Sequence, residues 1–359
     1  MRLTLLFALG RPFAPLYAGL MRLRAWLYRR GWLGQEKMIV PVVSVGNLTL
    51  GGTGKTPLVL YLARLLKELG YRPAILSRGY GRVKKAGKRT VADGGRPLVV
   101  ADGRRLLLGP EVAGDEPVLL ARALPGVPVL VDACRAVSGR YGVDRLGVDS
   151  LILDDGFQHL ALARDLNLAL FSARNLPVGA RVFPGGPLRE PWSALARADG
   201  VVITGVTPAF SSQVESFIRF LNRRFPQLPC FTGAYRPLCL LAGDGVAPLA
   251  LEEGKGKSWF GFAGIAQPES FRQTLLQEGF RLNGFRAYAD HHRYTAADYR
   301  ALVQMAAQQG ADALITTEKD LVKLAPLQGQ LPLLALRVGL VMEERFECFV
   351  RARLKVVKK

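Results

Sequence analysis

Two hydrophobic rhythms alternate along the chain. Short, unbroken apolar runs are each followed by longer stretches in which apolar residues recur every three or four positions. Unbroken runs of this length read as strands, and the spaced stretches as amphipathic helices. "MIVPVVSVG" (Met38–Gly46) is the first predicted strand, and "TPLVLYLARLLKELG" continues as a helix to Gly70. Further strands are expected at Pro73–Ser77, Pro128–Asp132, Asp149–Asp155, Leu166–Ser172 and Gly200–Gly205, with helical segments between them. Such alternation predicts a parallel, doubly wound α/β sheet. Between Gly79 and Gly109 the pattern loosens into Lys, Arg and Gly, which reads as a hairpin or a mobile flap. Beyond Tyr235 the rhythm restarts with "SWFGFAG", the helix-like "QPESFRQTLLQEGF", "RLNGFRAYAD", a helix from Thr295, "ADALITTEKD", "LPLLALRV" and a last basic helix. The expected division is therefore a core over 34–235 and a second, smaller α/β domain over 236–359.

The first 33 residues follow a different pattern. "MRLTLLFALGRPFAPLYAGLMRLRAWLYRRGWL" interrupts its apolar blocks with Arg2, Arg11, Arg22, Arg24, Arg29 and Arg30, and its longest uncharged run is Pro12–Met21. That run is too short to span a bilayer, which needs about 20 apolar residues. The segment suits an amphipathic helix lying in a membrane interface, with apolar side chains in the acyl boundary and Arg on anionic phosphates. The alternative is a helix packed on the protein's own core. A secretory signal is disfavoured, because no small-residue cleavage site follows the apolar run.

Composition sharpens this picture at one point. The 359 residues carry 49 Lys and Arg against 29 Asp and Glu, a net charge of +20 that calls for an anionic partner. Nucleic acid is disfavoured, since no zinc-finger or RNA-binding signature appears and aromatic residues are not interleaved with basic ones. An anionic membrane surface fits better. Cys134, Cys230, Cys239 and Cys348 are scattered without CxxC spacing, so neither a zinc site nor a disulfide framework is suggested.

Chemistry concentrates first in "VGNLTLGGTGKTP" (Val45–Pro57). It ends in the Gly-Lys-Thr of a phosphate-binding loop, although Thr49 occupies the position of the usual first Gly. Because a strand delivers the loop and a helix leaves from it, Thr49 marks a variant loop. Backbone N–H groups of Gly51, Gly52, Thr53 and Gly54 can wrap phosphates at the positive end of the helix, with Lys55 reaching the terminal phosphates and Thr56 holding Mg2+. The fold class is then a P-loop NTPase-like α/β sheet, mostly parallel. About a hundred residues on, "DSLILDDGFQH" places Asp154 and Asp155 past an apolar strand, where a metal-binding acid of such an enzyme would sit. Either of the two could bind magnesium, directly or through water, leaving the other to orient a ligand. In "GDEPVLLARAL", Asp115 reads equally as a helix cap ahead of Pro117 or as a base at the ligand crevice. The chain has three histidines, His159, His291 and His292.

Taken together, "GNLTLGGTGKTP", "SRGYGR", "GDEP", "LDDGFQH", "GPLREP", "DHH" and "TTEKD", in this order over nearly the whole chain, closely resemble the bacterial tetraacyldisaccharide 4'-kinases of lipid A synthesis. The resemblance implies an ATP- and Mg2+-dependent enzyme, peripheral or monotopic on the cytoplasmic face of the inner membrane. Its implied reaction moves the γ-phosphate of ATP to the 4'-hydroxyl of a tetraacylated, 1-phosphorylated glucosamine disaccharide, the lipid A precursor. It implies no obligate protein partner. By the same resemblance Asp115 and His291 form an acid–base pair, with His292 the alternative to His291, and Lys55 assists the transfer. Glu318 and Asp320 are assigned to nucleotide contacts, and Asn47, Tyr80, Glu116, His159 and Arg189 of the matching motifs to substrate binding. A regulatory GTPase would need an N-K-x-D segment, whereas "TTEKD" has the wrong order. A binding protein with a vestigial loop is opposed by Lys55, Thr56, Asp154 and Asp155 standing together.

Overall fold

A computed structural model describes residues 2–51, 53–78, 96–242, 248–290, 292–324 and 331–357. The N-terminal segment forms α1 (Arg2–Gly10) and α2 (Ala14–Arg29), joined by a 3-10 turn at Arg11–Phe13. The first half follows as β1 (Val42–Asn47), α3 (Lys55–Glu68), β2 (Pro73–Ser77), β3 (Leu98–Ala101), α4 (Pro110–Ala113), α5 (Asp115–Ala123), β4 (Val129–Val131), α6 (Arg135–Leu146), β5 (Ser150–Asp154), β6 (Leu166–Ser172), β7 (Gly200–Thr204) and α7 (Ser211–Arg224). The second comprises β8 (Cys230–Leu241), β9 (Pro248–Leu249), α8 (Glu252–Lys255), β10 (Ser258–Ala263), α9 (Pro268–Gln277), β11 (Arg281–Ala287), α10 (Ala296–Gln308), β12 (Ala313–Thr317), α11 (Glu318–Leu324), β13 (Leu333–Met342) and α12 (Glu344–Val357).

These strands form one sheet in the order β11-β10-β12-β13-β8-β7-β6-β1-β5-β2-β4-β3, with β9 paired to β8. Pairing is parallel except at β3 on β4, β13 on β8 and β9 on β8. The expected mostly parallel α/β sheet is thus observed. The reason lies in side-chain alternation, which sends successive strand residues to opposite faces. On β6, Leu168 and Leu170 enter the cluster that holds Leu58 of α3, Val118 of α5 and Phe346 of α12, while Ala169 and Phe171 enter the opposite cluster with Ala14, Phe157 and Phe217. On β10, Phe260 and Phe262 face Tyr299 and Leu302 of α10, while Trp259 and Ala263 face Phe271 and Leu275 of α9. Both faces of β6 and β10 are covered, so their sequences are largely apolar.

The boundary expected at 235/236 falls inside β8. Its first residues pair with β7 (Val201 opposite Cys230), and the remainder pairs with β13 (Leu241 opposite Ala335). One strand therefore serves both halves. The last helix also crosses back, burying Phe346, Val350 and Leu354 in the core of the first half.

The N-terminal segment packs along one side on the protein's own core and leaves an apolar stripe exposed. Ala14 and Ala18 are buried in the cluster around Phe157 and Phe171, and the Tyr17 hydroxyl donates to the Arg189 carbonyl at 3.1 Å. Leu6, Leu9, Phe13, Leu16, Leu20 and Leu23, spaced alternately by three and four, are all more than half exposed. Among the described residues no helix is long and apolar enough to cross a membrane.

Candidate active site

The phosphate loop is shaped by what surrounds it. Asn47, buried at the end of β1, donates through Nδ2 to the carbonyls of Thr49 at 2.8 Å and Gly51 at 3.3 Å, so its side chain folds the loop. The loop's first residues pair with the segment around Arg189: Leu50 N–H donates to Pro187 O and Arg189 N–H to Leu48 O. Thr49, the variant position, forms a bridge to Leu188. At the far end Gly54 has φ +79°, and a Cβ there would overlap the Tyr235 hydroxyl, so both backbone and space require glycine. The Thr204 hydroxyl donates to the Thr53 carbonyl at 2.8 Å. Lys55 opens α3, whose unpaired N–H groups and positive dipole end face the loop.

Two carboxylates lie under this helix end. Asp155, at φ 52°, is the one non-glycine among the described residues with positive φ. It meets Lys55 Nζ at 3.4 Å and Arg189 Nη1 at 3.1 Å. Burial works to raise its proton affinity, but the two cations outweigh it and hold the carboxyl below the ordinary range. Asp154 is 4% exposed and accepts from the Ser77 hydroxyl at 3.2 Å. Burial first, then the negative charges of Glu116 and Asp155, push it up to about 7 against the pull of Lys55. A buried carboxylate beside two others is a position that gains from a cation. Among the described residues no three His, Cys, Asp or Glu side chains form a metal cage. Magnesium does not need one, since it typically uses one or two carboxylates together with water and phosphate oxygens. Thr56, Asp154 and Asp155 fit that donor set.

α5 brings the third acid. Gly114 is its N-cap, and Asp115 and Glu116 occupy the first turn. Asp115 is thus the first helical residue and not the cap, which corrects one of its two sequence readings. Its carboxylate lies 3.6 Å from Lys323 Nζ of α11, a contact between the two halves.

Against known families, residues 6–355 match the one described as tetraacyldisaccharide-1-P 4'-kinase. The chain belongs to this 4'-kinase family. The tetraacyldisaccharide 4'-kinase of Desulfotalea psychrophila is 45% identical over 347 residues, covering 96% of this chain and 95% of that protein. The enzyme of the same name from Syntrophus aciditrophicus is 44% identical over 317 residues, covering 85% and 81%. A crystal structure of LpxK from Aquifex aeolicus, its apo form in complex with ATP, superposes with a TM-score of 0.76 at 34% identity, covering 96% of this chain and 98% of that one.

Within this 4'-kinase fold, Lys55, Asn47, Gly51, Thr53, Gly54, Thr56, Asp154, Asp155 and Arg189 lie at or beside the loop, Glu116 acts electrostatically on Asp154, and Asp115, next to it on α5, meets Lys323. Gly52, Tyr80 and His291 lie outside the described residues, as does most of the segment read as a flap. Glu318 is bound by Arg337 at 2.8 Å, and Asp320 is wholly buried, accepting from the Gly264 N–H at 2.9 Å and the Thr317 hydroxyl at 2.8 Å. Both carboxylates are engaged by residues of the second half. His292 Nε2 stands 3.3 Å from Asp298, in the capping box of Thr295 that starts α10.

Sequence reasoning overlooked Ser77, Thr204, Tyr235 and Lys323. The first two end strands β2 and β7, where the ligand crevice of an open α/β sheet lies, so position alone could have drawn attention to them. Lys323 stands three residues after Asp320 and on the same helix face.

His159 has its own electrostatic setting. Burial, then the charges of Arg135, Arg164, Arg24 and Arg78, lower its imidazole from 6.5 to about 4. The folded protein therefore binds this proton less readily than the unfolded chain. The sign follows: stability is full above about pH 6.5 and is lost as pH falls towards 4. Urea midpoints between pH 7 and 4.5 are expected to fall, and His159→Gln is expected to flatten that fall. An unchanged slope in the variant would assign the acid sensitivity to other groups.

Proposed function

We propose that this chain transfers the γ-phosphoryl group of ATP to the 4'-hydroxyl of a tetraacyldisaccharide 1-phosphate, the lipid A precursor, with magnesium as the metal. The observation that carries the reading is the Lys55–Asp155–Arg189 ion-pair group at the N-terminus of α3, beside the buried Asp154. A phosphoryl group at that helix end would meet aligned backbone N–H groups and the Lys55 ammonium, which now leans on Asp155. Asp154 takes the metal side in this reading, with Thr56, because Asp155 is already neutralised by two cations. Magnesium bound there would neutralise charge on the phosphates. Asp115 accepts the proton of the attacking hydroxyl, and His291 sustains it. His291 is preferred over His292 because His292 is tied to Asp298, and because the neighbouring Asp290 is held by Lys319 of α11, the helix that also touches Asp115.

The acceptor's 1-phosphate suits the basic surroundings of His159, where Arg24, Arg78, Arg135 and Arg164 converge, and Arg24 belongs to the membrane-facing N-terminal segment of this reading. The exposed Leu and Phe stripe of α1 and α2 would enter the acyl boundary of the cytoplasmic leaflet while the Arg residues meet phosphates. The enzyme is then a peripheral or monotopic protein of the inner membrane. Deleting residues 1–33 is expected to release it from anionic vesicles in a sedimentation assay. Full sedimentation of the truncated chain would move the anchor elsewhere, α12 being the first candidate.

The direct test supplies labelled ATP with and without the lipid disaccharide. Label is expected in the lipid, at the 4' position. ATP hydrolysis that ignores the lipid would reject the acceptor assignment.

A further inference from the structure

Of the motifs in the sequence, "TTEKD" is the one that the proposed phosphoryl transfer leaves without a part. Its Asp320 cannot meet solvent, being wholly buried. One of its carboxylate oxygens accepts from the Gly264 N–H and the Thr317 hydroxyl. A Cβ on Gly264 would approach the Tyr294 hydroxyl to 2.9 Å and Asp320 Oδ1 to 3.0 Å, so the glycine leaves room for this arrangement. The Asp320 carboxylate is therefore fixed at the C-terminal ends of β10 and β12.

Lys323 carries that anchorage outward. Its ammonium is 3.4 Å from Asp320 and 3.6 Å from Asp115, and its side chain is 7% exposed. A buried ammonium needs a compensating charge to stay ionised. Asp320 supplies it from a position closed to solvent. The ammonium accordingly stays in place whether or not Asp115 engages it. Asp115, 26% exposed, is the partner that solvent can reach. We infer that Lys323, held by Asp320, is a positioning residue that fixes the Asp115 carboxylate for proton acceptance from across the two halves. This rests on the reading of Asp115 as the base. It gives the motif a function in catalytic geometry distinct from nucleotide contact, and it makes α11 the strut on which α5 is set.

An ion pair that merely staples α11 to α5 would have the same contacts, so the test must separate geometry at Asp115 from stability. Steady-state kinetics of the full-length enzyme, with ATP and the lipid disaccharide each varied, are compared for wild type, Lys323→Met, Lys323→Arg, Asp320→Asn, Asp115→Asn and the Lys323→Met/Asp115→Asn double variant. Lys323→Met is expected to lower kcat by about 30-fold while both KM values stay within about threefold, the mark of an interaction that matters in the transition state. Lys323→Arg is expected to restore most of that loss, and Asp320→Asn to reproduce much of it. The double variant is expected to turn over no more slowly than Asp115→Asn alone, because a residue acting through Asp115 has nothing left to position. A Lys323→Met enzyme with a lower melting temperature but kcat within about twofold of wild type would overturn the proposal. So would losses that multiply in the double variant, a result that leaves the base assignment standing. Near-wild-type turnover of Asp115→Asn would remove the base itself and the proposal with it. Should Lys323→Met fail to fold, Lys323→Gln, which keeps the stem and a hydrogen-bonding end, carries the same comparisons.

Discussion

Lys55→Ala is expected to lower phosphotransfer by about three orders of magnitude, the largest loss among single substitutions at the phosphate loop. Phosphoryl transfer leaves a protein little covalent chemistry to perform, so catalysis is mostly placement and charge neutralisation around the moving group. Lys55 supplies the charge on the loop side. It is the first residue of α3, and with Gly54 fixed in the left-handed conformation ahead of it, its backbone and its ammonium address the same point. Its removal also leaves Asp155 with Arg189 as its remaining paired cation among the contacts described here, adding negative charge where phosphate must bind. Thr56→Ala is expected to lose about two orders of magnitude and to raise the magnesium concentration needed for half-maximal rate. Lipid binding to either variant, measured on vesicles carrying the disaccharide, is expected to match wild type. Lost lipid binding with intact ATP binding would reverse the roles given to this loop.

How much of this was legible in the sequence depends on the range of the interaction concerned. β1, α3, β5 and β6 were read within a few residues, because burial on both faces of a parallel sheet leaves an apolar run that nothing on the surface imitates. The start of α10 at Thr295 was equally local. The long β8 was not anticipated, since its burial alternates and thins over Ala234 to Leu238 as it passes from one half to the other. A strand shared by two halves has no signature of its own, and so the boundary was set within it. At the site, Lys55, Asp154 and Asp155 stood out because their spacing is set by one strand–loop–helix unit. Glu318 and Asp320 were assigned by motif to the nucleotide. Their partners Arg337 and Gly264 depend on how β10, β12 and β13 pack, which no spacing within "TTEKD" encodes. Lys323 was invisible for the same reason, since its contact with Asp115 joins residues far apart in the chain.

Asp115 and His291 are expected to behave as one unit. Asp115 stands at the start of α5 and meets Lys323, whereas His291 follows Asp290, whose carboxylate is held by Lys319. Asp115 and Asp290, the residue before His291, thus each meet a lysine of α11. Attack by a sugar hydroxyl requires a proton acceptor as the oxygen bonds to phosphorus, and an imidazole beside a carboxylate sustains its basicity in the transition state. Asp115→Ala and His291→Ala are each expected to lower kcat by about 10²- to 10⁴-fold, with KM for ATP and for lipid changed by no more than a few-fold. The double substitution is expected to cost little beyond the worse single one, because removing either partner already abolishes what the pair does. His292→Ala, which touches the α10 cap, is expected to lower the melting temperature while turnover stays within a few-fold. A double-mutant cycle with kcat measured at saturating substrates decides the matter. Losses that add in free energy would make the two residues independent, and a turnover collapse in His292→Ala with His291→Ala unaffected would transfer the pairing to the second histidine.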